Sequence, residues 1–151
     1  MSETAKEIVL FDVDGTLANV ESRVHHVQGV QQNWRAFFEA MDGDSPIEPV
    51  VSFYMKLWQH TDYDLYLLTG RPEKYREKTL AWFEAHNIPV GKLLMRPSGD
   101  SRHDYIIKEE ILQNLHAQGK QVAFVVEDRN SVVEMWRRNN ILCLQCFDGN
   151  F

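Results

Sequence analysis

Ile8-Val9-Leu10-Phe11-Asp12-Val13-Asp14-Gly15-Thr16-Leu17 is the stretch around which the rest of the chain is arranged. Four apolar residues in a row, two of them β-branched, predict a strand buried on both faces, as in the centre of a parallel sheet. The run stops at two aspartates one residue apart. Residues two apart on a strand face the same way, so Asp12 and Asp14 are expected to face together past the strand end unless the chain turns. Gly15 permits such a turn. In open parallel sheets, ligands sit at the carboxyl ends of strands, where this pair falls. Two acids beside a buried run need a counter-charge, most simply a hard divalent cation such as magnesium. A bare D-x-D would be read as a strand end with solvated acids. The apolar run before this pair and Gly-Thr-Leu after it favour a site.

The 151 residues are enough for one domain with a single core, and 44% hydrophobic with 25% charged residues is an ordinary globular balance. A formal net charge of −6 argues against a protein that coats nucleic acid non-specifically. It leaves room for a local basic site at the mouth of a cleft. No apolar run approaches a membrane span, and Met1-Ser2-Glu3-Thr4 lacks a signal-peptide pattern, so a soluble cytoplasmic protein is expected. Cys143 and Cys146 form a C-x-x-C, but within what reads as a strand. Residues three apart on a strand point to opposite faces, so these two are expected to be structural thiols rather than a zinc or redox pair.

Four further strands are expected at about 63–68, 90–95, 122–126 and 141–146. Between them lie helical patterns. Trp34, Phe37, Phe38 and Met41 recur at i, i+3, i+4, i+7. Ser45-Pro46-Ile47-Glu48 reads as a capping box with proline at the first helical position, opening a helix to about His60. Pro72 is expected to start a helix to about His86. Ser101 closes a loop that caps a helix over about 102–117. Ser131-Val132-Val133-Glu134 reads as another capping box. Adjacent His25-His26 suggest a metal site only weakly, since sequence neighbours usually diverge. Strands alternating with helices predict an α/β fold: a doubly wound, five-stranded parallel sheet, with a small helical cap insertion at about 19–44 after the first strand.

Three strand ends carry polar clusters: Asp12/Asp14, Thr69-Gly70-Arg71 and Glu127-Asp128. One helix start carries Asp104 and Lys108, four apart and so on one face. Singly, each has a plain alternative: a helix cap, a surface ion pair, a strand-end turn. Jointly, in this order and on these elements, they resemble the four motifs of the haloacid dehalogenase-like (HAD) phosphatases, whose first motif is D-x-D-G-T. The resemblance implies Asp12 as the nucleophile that becomes an aspartyl-phosphate, and Asp14 as the acid/base for the leaving group and then for water. It implies Thr69 as the hydroxyl on a phosphoryl oxygen and Lys108 as the neutralising cation. It also implies a Mg²⁺ held by Asp12, the Asp14 main-chain carbonyl and Asp128, with Glu127 as an adjacent ligand or water holder. The chemistry is coherent, because phosphoryl transfer needs positioning and charge neutralisation more than covalent help from elsewhere.

Within that family, Asp-Val-Asp-Gly-Thr-Leu-Ala, Gly-Asp-Ser-Arg-His-Asp with Lys-Glu-Glu-Ile, and Glu-Asp-Arg with Val-Val-Glu-Met-Trp-Arg-Arg are similar to the 3′-phosphatase domains of phage polynucleotide kinases. That likeness places Arg23, Gly70, Arg71 and Asp104 at substrate-binding positions. The two arginines could hold phosphate oxygens bidentately, and Asp104 could orient Arg71 or Lys108. The segment from Trp34 to Asp44 matches poorly. No G-x-x-x-x-G-K-[ST] occurs, so no ATP site of a 5′-kinase is expected. The implied substrate is a 3′-phosphorylated nucleic-acid end or nucleotide. Two alternatives stand beside it: a small-molecule phosphatase for nucleotide 5′-phosphates or sugar phosphates, and a non-catalytic binding module of a repair or phage complex.

Overall fold

Strand β1 (Ile8–Phe11) lies between β2 (Asp64–Pro72) and β4 (Val122–Arg129), both parallel to it, and every residue of β1 is buried. Strands β3 (Lys92–Arg96) and β5 (Cys143–Gly149) pair parallel outside them, giving the order β3-β2-β1-β4-β5. The computed structural model describes residues 5–151. The N-terminal Met1-Ser2-Glu3-Thr4, read for a leader pattern, lies outside the described residues.

The alternation of strand side chains builds two cores. Val9, Phe11, Leu65 and Leu67 pack on one face with Tyr54 of α2 (Glu48–His60) and Trp82 and Phe83 of α3 (Arg76–Ala85). Ile8, Leu10, Tyr66 and Leu68 pack on the other with Leu112 of α4 (Asp104–Ala117) and Trp136 of α5 (Asn130–Arg138). The final helix to be placed, α1 (Trp34–Glu39), lies between β1 and α2, flanked by 3-10 turns at Val24–His26 and Met41–Gly43. Asn33 caps α1 by accepting the Ala36 N–H at 3.0 Å. This insertion buries its own cluster of Val20, Val27 and Phe37, against which Trp34, Phe38 and Phe151 pack. The His25 and His26 rings face one another, 4.0 Å between centroids.

Several expected boundaries move. Pro46 does not start α2: it pairs across an isolated bridge with Ala18, and the helix begins at Glu48 with Pro49 in its first turn and no side-chain cap from Ser45. Ser131 lies inside α5, because β4 runs on through Arg129 straight into the helix. Pro72 ends β2 rather than opening α3, with a 3-10 turn at Glu73–Tyr75 between them. His103, not Ser101, precedes α4, and it makes no side-chain cap. Cys143 packs in one core and Cys146 against the other, both thiols are free, and burial pushes both up to about 12.

From β1 the chain moves outward to β2 and β3, then returns to β4 and β5 on the other side. The order therefore reverses beside β1, and a crevice opens at the carboxyl ends there. Register shifts interrupt the ladders between Thr69 and Pro72 and between Glu127 and Arg129. Both fall on the polar clusters, where an irregular strand re-aims its side chains. Among the described residues, no helix is long and apolar enough to cross a membrane.

Candidate active site

The turn after β1 separates the two aspartates. The Val13 carbonyl accepts the N–H groups of Thr16, Leu17 and Ala18, and Gly15 takes φ +83° to make this possible. The turn that Gly15 permits is thus present, and it sends Asp12 and Asp14 into different hydrogen-bond networks while both line one cleft. Asp12 accepts from the Thr16 hydroxyl at 3.0 Å through Oδ2 and from Lys108 Nζ at 2.9 Å through Oδ1. A β-carbon at Gly15 would lie 2.0 Å from Asp128 Oδ2, so only glycine lets β4 bring Asp128 this close.

Lys108 is a fully buried cation beside Asp12. Its ammonium also donates to Glu127 Oε2 at 2.9 Å and lies 3.3 Å from Asp104 Oδ2, one helical turn back. Burial opposes its charge, but Asp104, Asp12 and Glu127 outweigh that and hold its pKa well above the usual lysine value. Asp104 thus lies beside Lys108, with no ion pair to Arg71 among the described residues. The other Glu127 oxygen accepts the N–H groups of Asp128 and Arg129. Asp12, Glu127 and Asp128 each offer one oxygen within 4.8 Å of the others, all three residues buried. Burial, followed by the charge of Asp12, pushes the Glu127 and Asp128 carboxyls well above the ordinary range. One lysine does not neutralise this crowd. Hard oxygen donors with excess negative charge fit a divalent cation of the magnesium type. The Asp14 carboxylate stands outside the trio, and its main-chain carbonyl accepts no backbone hydrogen bond among the described residues.

Asp14 instead belongs to a second network. Arg71 donates to both its oxygens from Nε at 3.1 Å and to Oδ1 from Nη2 at 2.6 Å. Arg23 Nη2 donates to Oδ1 at 2.6 Å. Asp44, at the end of the insertion, grips Arg23 in a fork of 2.8 and 2.6 Å and lies 3.6 Å from Arg71. Burial would raise the Asp14 pKa, but Arg71 and Arg23 outweigh it and hold the carboxyl well below the usual range. The expectation that Arg23 and Arg71 grip phosphate oxygens is corrected by this geometry. Both are fully buried, and their remaining N–H groups go to Phe37 O, Thr79 Oγ1 and Met41 Sδ. They hold Asp14.

Above these networks lies a cleft of about 460 Å³. Asp12, Asp14, Glu127 and Asp128 line its floor, with Thr69, Gly70 and Asp104 on one side. The Thr69 hydroxyl accepts the Arg71 N–H at 3.1 Å and donates to no acceptor among the described residues. A β-carbon at Gly70 would fall 2.4 Å from Asp104 Oδ1, so glycine is needed for that helix start to close in.

With this geometry in place, comparison with known proteins is decisive. The family of polynucleotide kinase PNKP phosphatase domains matches residues 6–151. The chain belongs to that family. A protein of Autographa californica nuclear polyhedrosis virus, described as a bifunctional polynucleotide kinase/RNA ligase, is 30% identical over 131 residues, 85% of this chain and 17% of the viral one. A chain of the solved Pnkp1/Rnl/Hen1 complex is 34% identical at a TM-score of 0.80, the match covering 99% of this chain and 49% of that one. A haloacid dehalogenase-like family hydrolase from Streptococcus pneumoniae shares the fold, at 14% identity and a TM-score of 0.66 over 93% of this chain and 84% of its own. The chain thus spans less than half of each of the first two relatives.

In this PNKP-type phosphatase domain, sequence reasoning missed three charged residues of the site. Asp44 lay in the poorly matching segment, with nothing local to mark its pairing. Arg96 lines the cleft and donates to Gly70 O at 2.9 Å, and its Nη2 lies 3.5 Å from Asp104 Oδ1. Arg129 follows Asp128 directly and sits over the rings of Trp34 and Phe151, at 5.3 and 5.1 Å. Adjacency to the Glu127-Asp128 cluster was the available signal for Arg129. Cations thus gather at this mouth in a chain of net charge −6.

Proposed function

We propose that this phosphatase domain is a magnesium-dependent phosphomonoesterase that removes a 3′-phosphate from polynucleotide ends or nucleotides through an aspartyl-phosphate. The observation that carries this reading is Lys108, buried against both Asp12 and Glu127 beneath an open cleft. It fixes one Asp12 oxygen and balances part of the charge that a phosphoryl group would add.

On this reading an Asp12 carboxylate oxygen attacks phosphorus and the bond from phosphorus to the 3′-oxygen breaks. Asp14, ionised in the free site, takes a proton from the entering monoanionic phosphate ester and passes it to that oxygen. Water then attacks the phosphorus of the aspartyl-phosphate, Asp14 takes a proton from it, and inorganic phosphate leaves with Asp12 restored. Asp12, Asp128 and the Asp14 carbonyl are the groups that would hold Mg²⁺, with Glu127 holding Lys108 and, through it, Asp12. When bound, the cation supplies charge neutralisation at the phosphoryl oxygens. Thr69 offers its hydroxyl proton to one of those oxygens, and Asp104 keeps Lys108 in line. The residues form one domain, with about 19–44 acting as a small cap that leaves room for a macromolecular end.

A phosphate-release panel tests this: 3′- and 5′-phosphorylated mononucleotides and oligonucleotides, each with and without magnesium. Turnover confined to 3′-phosphates and dependent on magnesium is the expected result. Preference for a 5′-phosphate or a sugar phosphate would hand the site to small metabolites, and no turnover of any ester would leave a binding module.

A further inference from the structure

Asp14, Arg23, Asp44 and Arg71 form a closed ring of alternating charge, and three of the four side chains are wholly buried. Asp14 alone reaches the cleft, with 13% of its side chain exposed. The two oxygens of Asp14 are not equivalent. Oδ1 receives Arg23 Nη2 and Arg71 Nη2 at 2.6 Å each, and Arg71 Nε at 3.1 Å. Oδ2 receives only the shared Arg71 Nε at 3.1 Å. Oδ1 is thus saturated by charged donors, and Oδ2 is the oxygen left less encumbered.

The asymmetry depends on Asp44. Two guanidiniums converging on one carboxylate repel each other, and the second carboxylate makes the ring neutral. Its fork fixes the plane of Arg23, so that Nη2 points at Oδ1. Asp44 is itself held, its carbonyl accepting the Trp82 indole N–H of α3 at 2.9 Å. We infer that Asp44 is a positioning residue for proton transfer: acting through Arg23, it turns Asp14 so that Oδ2 faces the substrate's leaving oxygen. The inference rests on the acid–base reading of Asp14 given above, and extends it to the insertion.

The test is a ratio of kcat/KM values, which reports the phosphoryl-transfer step. A 3′-phosphorylated oligonucleotide expels a strongly basic alkyl oxygen that needs a proton, whereas p-nitrophenyl phosphate expels an anion that does not. Asp44→Asn, folded by circular dichroism, is expected to lose about ten- to a hundredfold on the oligonucleotide, the worth of a charged hydrogen bond, and less than about threefold on the aryl ester. Asp14→Asn should show the same selectivity, and adding Asp44→Asn to it should cost nothing further. If Asp44→Asn fails to fold, Asp44→Glu, which keeps the charge but displaces the fork, is read by the same ratio. Equal losses on both esters, no loss on either, or additive losses in the double variant would overturn the role of Asp44. An Asp14→Asn protein that loses both esters equally would instead overturn the acid–base role of Asp14. If the wild type hydrolyses the aryl ester but no 3′-phosphate, the 3′-phosphatase reading fails, and glycerol 2-phosphate takes the oligonucleotide's place in the same ratio.

Discussion

Gly15 and Asp128 occupy one space: a β-carbon on residue 15 would sit 2.0 Å from Asp128 Oδ2. The turn after β1 and the end of β4 can therefore meet only because residue 15 has no side chain. Gly15→Ala would also be strained at φ +83°, at roughly 1–2 kcal/mol. Asp128 must retreat from Asp12, and the magnesium concentration giving half-maximal phosphate release is expected to rise at least about tenfold. A magnesium titration of the folded variant checks this. An unchanged requirement would remove Asp128 from the metal site.

Lys108→Met removes the buried cation from among Asp12, Glu127 and Asp104. Breaking a buried pair in this way typically costs about 3–5 kcal/mol, because the carboxylates remain without compensation. Urea unfolding should show a loss of that order at neutral pH, and phosphate release should fall to background. A variant of wild-type stability would mean that the acid cluster gains little from the ammonium.

Metal-free protein should lose stability as pH rises. Burial and the Asp12 charge raise the folded-state pKa values of Glu127 and Asp128 above their unfolded values. Below about pH 4 both states are protonated alike, and these groups cost the folded state nothing. From about pH 4, the ordinary carboxylate value, the unfolded chain gives up its protons first, and each retained proton costs about 1.4 kcal/mol per pH unit. Magnesium is expected to reverse this by favouring the ionised cluster. The rise in melting temperature on adding magnesium should therefore be larger at pH 8 than at pH 5.5. A rise independent of pH would separate metal binding from these carboxyls.

The parts of this fold legible in the sequence were those encoded locally. Ile8 to Phe11 announced a central strand, and it is buried throughout. The runs ending at Thr69 and at Glu127-Asp128 gave the neighbouring strands, and i,i+4 spacing put Asp104 and Lys108 on one face of α4. The capping boxes failed because tertiary pairing used those residues first: Pro46 bridges Ala18, and β4 carries its pairing into Arg129. The arginines were found but given the wrong partner. Arg71 and Asp14 are 57 positions apart, and Arg23 and Asp44 are 21 apart, so nothing in the local pattern says that a guanidinium is already spoken for. The separate networks of Asp12 and Asp14 follow from the turn at Gly15, a position that only a residue without a side chain can fill beside Asp128.

Asp12 carries the central claim, since Lys108 and Thr16 leave its carboxylate fixed at the floor of the cleft. Asp12→Asn keeps the shape and removes the attacking charge. The most direct measurement is kcat of the folded Asp12→Asn protein on a 3′-phosphorylated oligonucleotide at saturating magnesium. Covalent phosphoryl transfer to Asp12 predicts turnover indistinguishable from background, with the melting transition preserved. Substantial turnover by that folded variant would contradict an aspartyl-phosphate at this position.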